Sequence, residues 1–417
     1  MIFKKKYDDF LILFVLFWAS IITVLRAIRW PNDWAEAIWL ISYNFGFLKR
    51  GLPGTFFLPF ANENAELSIK IVSSSLLGLF CILLLWVCMQ IIKNSKTSIE
   101  SILSALLFLT SAYMVKSAHL IGYFDNILII ITIISCVLVT KNKIVFSSFV
   151  ISIGVLIHEN ILVVGFPSIL FISILQHIRQ ENPSSAFHFF LTYFSKFKLL
   201  IFMPVFVFLC VLFYQTIFLD TEELRSQLIA HLSQFEFIED DRDIHAAIGI
   251  THSFFDYLFE QAPHFFERII NPIYIFQMGL PISILIFFGF RKLQLIGSRW
   301  PIFFIFVVIT LLPLSLHLIA WDTSRIWTFP FVVVLLNIWG ITKTHTGIYT
   351  EKDHSLLFII LTLIVIIFQL FITTPLMDNV HELFSAPKNR LILYAPSLIL
   401  LAVYIGKNYC LTKRSAN

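Results

Sequence analysis

The sequence predicts an all-α, polytopic integral membrane protein, a bundle of about twelve transmembrane helices. Hydrophobic residues fill 58% of the 417 positions and charged residues only 13%, about half the charge of an average globular chain. The mean hydropathy is +0.85. Apolar runs of about 17 to 25 residues, long enough to cross a bilayer as helices, recur along the whole chain. A water-soluble fold is therefore excluded, and we treat residues 1–417 as one transmembrane domain.

Twelve segments are expected to span the membrane. The run 144–178 is too long for one helix, and the polar residues His158, Glu159 and Asn160 divide it. The first segment follows Lys4–Lys6 without a small-residue cleavage site, which indicates a retained helix. The expected spans are, approximately, 10–29, 69–92, 99–117, 122–140, 144–158, 161–178, 199–219, 272–290, 301–319, 326–342, 355–375 and 391–406.

The distribution of Lys and Arg predicts the orientation. Placing the amino terminus in the cytoplasm puts 18 of the 30 Lys and Arg residues on the cytoplasmic side, as the positive-inside rule requires. Both termini are then cytoplasmic, and three structured loops lie outside: a first loop of residues 30–68, a large loop of residues 220–271, and residues 376–390. The expected location is a bacterial inner membrane, with the active site facing the periplasm or exterior.

Two features narrow the possible functions. The five Cys are scattered, without the spacing of a disulfide framework or a CxxC metal site. The cytoplasmic loops are too short for a nucleotide-binding fold. We expect membrane lipids as partners and no nucleic acid.

The first loop carries two groups of candidate residues. Asp33 and Glu36 are three residues apart and would share one face of a short helix. Asp33 is a candidate site residue, or an acid that caps or stabilises the first turn of that helix. Lys49 and Arg50 are flanked by glycines, including Gly51. This pattern favours binding of a phosphate or diphosphate through side chains and freed backbone N–H groups; the alternative is snorkelling to lipid headgroups.

Further candidates occur at three other expected outer junctions. Asp125 begins an apolar helix, where it could act in a site or cap the helix. His158 and Glu159 interrupt an apolar run and suit a general base, a proton carrier or a ligand of the acceptor sugar, or a cap of a tight turn. Asp322 and Arg325 could bind substrate or form a local ion pair. Under the predicted topology all these residues lie at about one depth, on one side of the membrane.

The large loop contains a second pattern. Between Ser253 and Ile270, seven Phe, Leu and Ile residues lie among charged residues. Such a pattern is typical of a helix that lies at the lipid surface. Pro263 is expected to bend it.

The many spans, an acidic residue in the first outer loop and a second one at the next outer junction resemble the GT-C superfamily of membrane glycosyltransferases. The Ile- and Phe-rich chain with one large outer loop also resembles bacterial O-antigen polymerases. The GT-C resemblance implies that Asp33 acts as base on the acceptor and that Asp125 is the second acid. It also implies a sugar donor linked to polyprenyl phosphate or diphosphate.

We therefore expect a glycosyltransferase or polymerase of surface polysaccharide synthesis that acts on a glycan or lipid-linked acceptor. Arg50, with Lys49 and Arg325, would bind the donor phosphate. Asp33, Glu159 or His158 would take the acceptor proton. Asp125 or Asp322 would orient sugar hydroxyls. No cofactor is required, although a divalent metal is compatible with the carboxylates. The alternative function is a transporter or flippase of lipid-linked sugars.

Overall fold

The structure is a computed structural model that describes residues 2–60, 64–181, 186–219, 221–295, 300–345, 356–377 and 380–414. Within these ranges the chain forms helices and their connections, without a β-strand. Two expected cytoplasmic segments, 296–299 and 346–355, lie outside the described residues. The helices are α1 (Ile2–Leu25), α2 (Asp33–Trp39), α3 (Gly51–Phe57), α4 (Ala65–Asn94), α5 (Ile99–Leu109), α6 (Ala112–His119), α7 (Asp125–Thr140), α8 (Ile144–Ile157), α9 (Ile161–Val164), α10 (Phe166–Glu181), α11 (Ala186–Phe218), α12 (Thr221–Leu232), α13 (Asp240–Thr251), α14 (Phe254–Gln261), α15 (Phe265–Ile269), α16 (Pro272–Tyr274), α17 (Leu280–Leu295), α18 (Trp300–Leu311), α19 (Thr323–Ile326), α20 (Phe329–Thr344), α21 (Leu356–Phe371) and α22 (Pro387–Arg414).

The prediction of a helical membrane protein is confirmed. In the described part of the chain, nine helical segments are long and apolar enough to cross a membrane, and α7, α8 and α21 are shorter apolar helices. Each of the twelve expected spans coincides with one helix or with consecutive helical turns. The number of crossings and the side of the termini stay predictions.

Two spans form the centre of the bundle. In the segments Ile99–His119 and Thr323–Thr344, 94% of an apolar stretch of 18 residues is buried inside the protein. In the segment His188–Phe218, only 22% of such a stretch is buried. Helices that are apolar on all sides can be surrounded by other helices, and lipid can cover the outer ones. Residues near the ends of the two central spans are therefore held in position by the helices around them.

Several helix ends differ from the sequence prediction. Helix α1 ends at Leu25 rather than at 29, and α11 begins at Ala186 rather than at 199. At the first of these ends the carbonyl oxygen of Arg26 accepts a hydrogen bond of 2.7 Å from the backbone N–H of Leu383 instead of continuing the helix. The side chain of Arg26 pairs with Glu382, where its Nε lies 2.8 Å from Oε2. Helix α11 includes Lys196 and Lys198, although both are charged. Their long side chains can extend the charged group away from an apolar surface.

A buried triad joins the first helix to the last. The carboxylate of Glu382 pairs with Arg26 and also lies 3.0 Å from Nη2 of Arg390. Its Oε1 accepts a hydrogen bond of 2.6 Å from the backbone N–H of Thr374. All three charged side chains are almost fully buried. The triad therefore fixes the connection between α21 and α22 against the end of α1.

The first loop and the large loop pack against each other at one end of the bundle, which we call the cavity end. His231 Nε2 lies 3.0 Å from the carbonyl oxygen of Leu40. Gly249 packs so closely on Trp34 that a Cβ there would lie 2.8 Å from the indole ring. The two loops thus form one structured layer above the spanning helices.

Candidate functional site

The cavity end contains a cavity of about 710 Å³ between the first loop, the large loop, α11 and the segments before α9 and α19. Six of the eight predicted site residues line it. These are Lys49, Arg50, His158, Glu159, Asp322 and Arg325. Asp125 reaches the cavity through its contact with Arg325. Asp33 is not among the lining residues.

Arg50 and Glu159 form an ion pair inside this cavity. Nη2 of Arg50 lies 2.6 Å from Oε1 of Glu159, and Nε lies 3.4 Å from Oε2. The backbone of Arg50 adopts the left-handed conformation, with φ at 64°, which costs roughly 1 kcal/mol for a residue with a Cβ. Arg50 is the residue immediately before α3. The turn at Arg50 therefore connects the cavity to that helix.

The environment sets the protonation of Glu159 and His158. Burial alone would raise the pKa of Glu159, but the Arg50 guanidinium holds it well below its usual range. Burial, together with the charge of Arg50, lowers the pKa of His158. His158 Nδ1 accepts a hydrogen bond of 3.2 Å from the backbone N–H of Asn160. The same nitrogen lies 3.3 Å from Oε2 of Glu159, so the imidazole contacts both the backbone turn and the carboxylate.

Lys49 links the first loop to the large loop. Its Nζ donates a hydrogen bond of 2.7 Å to the carbonyl oxygen of His252 and lies 5.3 Å from the centre of the Tyr257 ring. Burial lowers the pKa of Lys49 to about 8. The ammonium group thus contributes a positive charge to the cavity near neutral pH.

Arg325 and Asp125 form a second ion pair. Nε and Nη2 of Arg325 each lie 2.7 Å from one carboxylate oxygen of Asp125. The local ion pair between Asp322 and Arg325 that the sequence allows is not formed. Asp322 instead caps α19, accepting hydrogen bonds from the backbone N–H of Arg325 at 3.2 Å and from Ser324 Oγ at 3.3 Å. Asp125 likewise does not serve as a simple helix cap, because the distant guanidinium engages both of its oxygens.

The sequence reasoning missed Lys116, which is buried behind this second pair. Its Nζ donates hydrogen bonds to Ser324 Oγ at 2.6 Å and to the carbonyl oxygen of Pro375 at 3.3 Å. A Lys within an apolar span is by default a sign of function or of a specific partner. That signal could have found it, since Lys116 interrupts an expected span.

Asp33 and Glu36 belong to a different part of the cavity end. Asn32 caps α2, and Asp33 is the first residue of that helix. Glu36 is buried, and its Oε1 has no hydrogen-bond partner among the described residues. Burial raises the pKa of Glu36 to about 7, while the charge of Lys70 opposes this rise. These two carboxylates thus form a group near Lys70.

The glycines after Arg50 have a packing role. The N–H of Gly51 donates to the carbonyl oxygen of Leu48 at 3.3 Å. The expectation that it is free to bind an anion is therefore wrong. A Cβ at Gly54 would overlap the carbonyl oxygen of Ile41, and one at Gly51 would lie 2.6 Å from the Tyr43 ring. Glycine is needed here because α3 packs directly on the preceding segment.

An apolar groove of about 660 Å³ lies beside α3. Its walls include Leu52, Pro53 and Phe56 of that helix and Ile157 of α8. The residues next to them in the chain line the polar cavity: Arg50 precedes Leu52 by two positions, and His158 follows Ile157. Residues that are neighbours in the chain therefore line the cavity and the groove at the start of α3 and the end of α8.

Comparisons with protein-family models, curated proteins and solved structures find no match for this chain. The described residues hold no group of three or more His, Cys, Asp or Glu side chains arranged for a metal ion. The function is therefore argued from the geometry of the cavity and the groove.

Proposed function

We propose that the protein is a membrane glycosyltransferase that transfers a sugar from a polyprenyl phosphate or diphosphate donor to a glycan or lipid-linked acceptor. The observation that carries this proposal is a charged cavity and an apolar groove that are lined by neighbouring residues at the start of α3. A donor with an anionic head and a long hydrocarbon tail needs both environments side by side. We place the reaction at the outer face of a bacterial inner membrane, as the distribution of Lys and Arg favours.

The donor phosphate would bind at the two arginines. Arg50 and Arg325 each use Nε and Nη2 for their carboxylate partner. In the described part of the chain, Nη1 of each arginine has no hydrogen-bond partner, so it can donate to an anion. Guanidinium groups suit phosphate because they present several donors in one plane. Lys49 adds a further positive charge.

The reaction requires a base and a stabilised leaving group. The acceptor hydroxyl oxygen forms a bond to the anomeric carbon, and the bond from that carbon to the phosphate oxygen breaks with its electron pair. Arg50 and Arg325 would stabilise the charge on the departing phosphate. The acceptor proton would pass to Glu159, which lines the cavity beside Arg50. As Arg50 shifts from Glu159 toward the phosphate, the pKa of Glu159 rises and its carboxylate becomes a stronger base.

Other residues have supporting roles in this proposal. His158 is the alternative base within the cavity, through its imidazole. Asp33 is kept as a third base candidate on the GT-C resemblance alone. Asp322 would orient sugar hydroxyls, and the rings of Trp34 and Tyr257, which line the cavity, offer faces for a sugar.

The competing function, a flippase or transporter of lipid-linked sugars, has one observation in its favour. The cavity follows α11 from Thr216 to Phe208, about 12 Å along the helix axis. It therefore extends beside a span that is mostly exposed, as a lipid-linked substrate that crosses the membrane would need.

Reconstitution tests the proposal and separates it from the alternative. The purified full chain in liposomes is given sugar donors on polyprenyl phosphate and on polyprenyl diphosphate, with oligosaccharide acceptors. Mass spectrometry follows the product and the released polyprenyl phosphate or diphosphate. We expect stoichiometric transfer with no nucleotide sugar present. Movement of an intact donor between leaflets without any bond cleavage would establish the transporter instead.

A further inference from the structure

Helix α14 in the large loop presents two different faces. Phe254, Tyr257, Glu260 and Gln261 line the cavity. At 100° per residue, as in any α-helix of 3.6 residues per turn, these positions centre on one side of the helix. Phe255 and Phe259 centre on a direction roughly opposite. The helix is therefore a wall of the cavity, with two phenylalanine rings on its outer surface.

The outer surface of this wall is strongly exposed. Phe255 is 60% exposed, Phe259 is 78% exposed, and Phe266 in the following helix α15 is 71% exposed. Three phenylalanines presented in this way form an apolar surface that water solvates poorly. The sequence already predicts that residues 253–270 lie at the lipid surface. At Pro263, where the sequence predicts a bend, a short 3-10 turn, Ala262–His264, separates α14 from α15.

Exposed apolar residues continue along the chain into a membrane span. Ile270, Ile273 and Phe276 are also exposed, and the last two belong to the span Pro272–Leu295. Lipid covers the exposed residues of such a span. The outer face of α14 and α15 is therefore next to the lipid-covered surface of that span.

The inner side of the segment is tied to the bundle. Nη1 of Arg268 donates a hydrogen bond of 3.0 Å to the carbonyl oxygen of Ala320. The indole N–H of Trp327 donates to the carbonyl oxygen of Arg268 at 3.1 Å. At the other end, Lys49 holds the carbonyl oxygen of His252. The segment is thus fixed at both ends with its phenylalanines directed away from the bundle.

We propose that residues 254–270 are a membrane-binding surface whose outward phenylalanines insert into the lipid at the boundary of headgroups and acyl chains. The partner is the bilayer surface, which then lies directly outside one wall of the cavity. Insertion depends on the apolar rings, because the segment carries Asp256, Glu260 and Glu267 against a single Arg. Binding should therefore not require anionic lipid. This inference concerns the membrane contact alone and does not rest on the proposed function.

Spin labelling of the full chain tests the surface. In a variant with its five Cys replaced, Phe259→Cys places a nitroxide on the outward face and Glu260→Cys places one on the cavity face, one residue away. The protein is studied in nanodiscs of phosphatidylcholine, with and without phosphatidylglycerol. Collision rates with oxygen, which concentrates in lipid, and with a water-soluble nickel chelate are compared.

We expect the label at Phe259→Cys to collide several-fold more with oxygen than with the chelate, and the label at Glu260→Cys to show the reverse, in both lipid mixtures. Phe255→Cys repeats the outward position if Phe259→Cys does not fold. Equal access of the chelate to both faces would overturn the proposal. Protection from the chelate only in the presence of phosphatidylglycerol would overturn it as well, since it would indicate electrostatic attachment.

Discussion

Arg325 holds Asp125 through two hydrogen bonds of 2.7 Å, one to each carboxylate oxygen, although 200 residues separate them in the chain. The pair joins the start of α7 to the start of α19, both at the cavity end. Both side chains are largely buried, at 17% and 11% exposure. Removing one partner leaves the other charge without compensation, which typically costs about 3 kcal/mol.

A double-mutant cycle measures this pair. We expect Asp125→Asn and Arg325→Gln each to lower the free energy of unfolding by about 3 kcal/mol. The double variant should lose clearly less than the sum of the two, because no charge is left unpaired. Denaturant unfolding in detergent gives the three values. Additive losses would mean that the two side chains do not interact in the folded protein.

Arg50→Lys should greatly reduce transfer, because a single ammonium group cannot replace a planar group that donates to Glu159 and to the phosphate at once. We expect at least a tenfold loss for Arg50→Lys and about a 100-fold loss for Arg50→Ala, as when one donor to a developing anion is removed. Initial rates in liposomes give the measurement. Arg225→Lys is the matched control, since Arg225 belongs to the same end but does not line the cavity. Near-normal activity of Arg50→Lys would exclude phosphate recognition of this form.

Glu159→Gln should lower kcat and kcat/KM by a similar factor of about 100, because a base acts in the transition state. Asp33→Asn, which removes a carboxylate outside the cavity lining, should change both by a small factor. Steady-state kinetics with varied acceptor concentration separates the two carboxylates. The reverse order of effects would transfer the role of base to Asp33 and strengthen the GT-C resemblance.

Glu36 should make the protein less stable as the pH rises. The folded chain binds a proton at Glu36 with a pKa of about 7, against an ordinary value of 4.5, so the folded state binds the proton more tightly than the unfolded state. The free energy of unfolding therefore falls between about pH 4.5 and pH 7. Glu36→Gln should be more stable than the parent at pH 8, by up to about 3 kcal/mol. At pH 4 the two proteins should unfold alike, and a gain at pH 4 equal to that at pH 8 would contradict the assignment.

Gly54→Ala should destabilise the first loop, because the new methyl group would overlap the carbonyl oxygen of Ile41. Overpacking of this kind costs about 1 to 3 kcal/mol, and the backbone atom cannot move aside as a side chain would. Gly78→Ala is the matched control, since nothing lies within 4 Å of a Cβ at that helical position. Thermal unfolding should show a lower transition for Gly54→Ala and an unchanged or slightly higher one for Gly78→Ala.

The sequence was sufficient to predict the helices, because a chain that crosses lipid can adopt few other structures. It also located the junction at His158 and Glu159, since polar residues in an apolar run must reach water or a polar partner. The partners themselves could not be predicted. Glu159 pairs with Arg50 across 109 residues, and no local pattern encodes such a distance.

The site differs from the sequence prediction where packing decides the outcome. Asp33 and Asp125 were grouped by their expected depth in the membrane, yet only Asp125 contacts the cavity, through Arg325. The sequence predicts how deep a residue lies in the membrane. It does not predict where the residue lies around the helix bundle, because spacing along the chain does not give that position. The glycines beside Arg50 form a pattern that favours phosphate binding, whereas in the structure they are needed for close contact with Tyr43 and Ile41.

The buried triad at the ends of α1 and α22 has a consequence for biosynthesis. Arg26 is made 356 residues before Glu382, its carboxylate partner. At a synthesis rate of about 5 to 20 residues per second, the interval is roughly 20 to 70 seconds. During that time most of the spans enter the bilayer while the guanidinium relies on water or lipid phosphate. The guanidinium of Arg26 enters the membrane region with α1. Its burial is therefore complete only after the last helix has inserted.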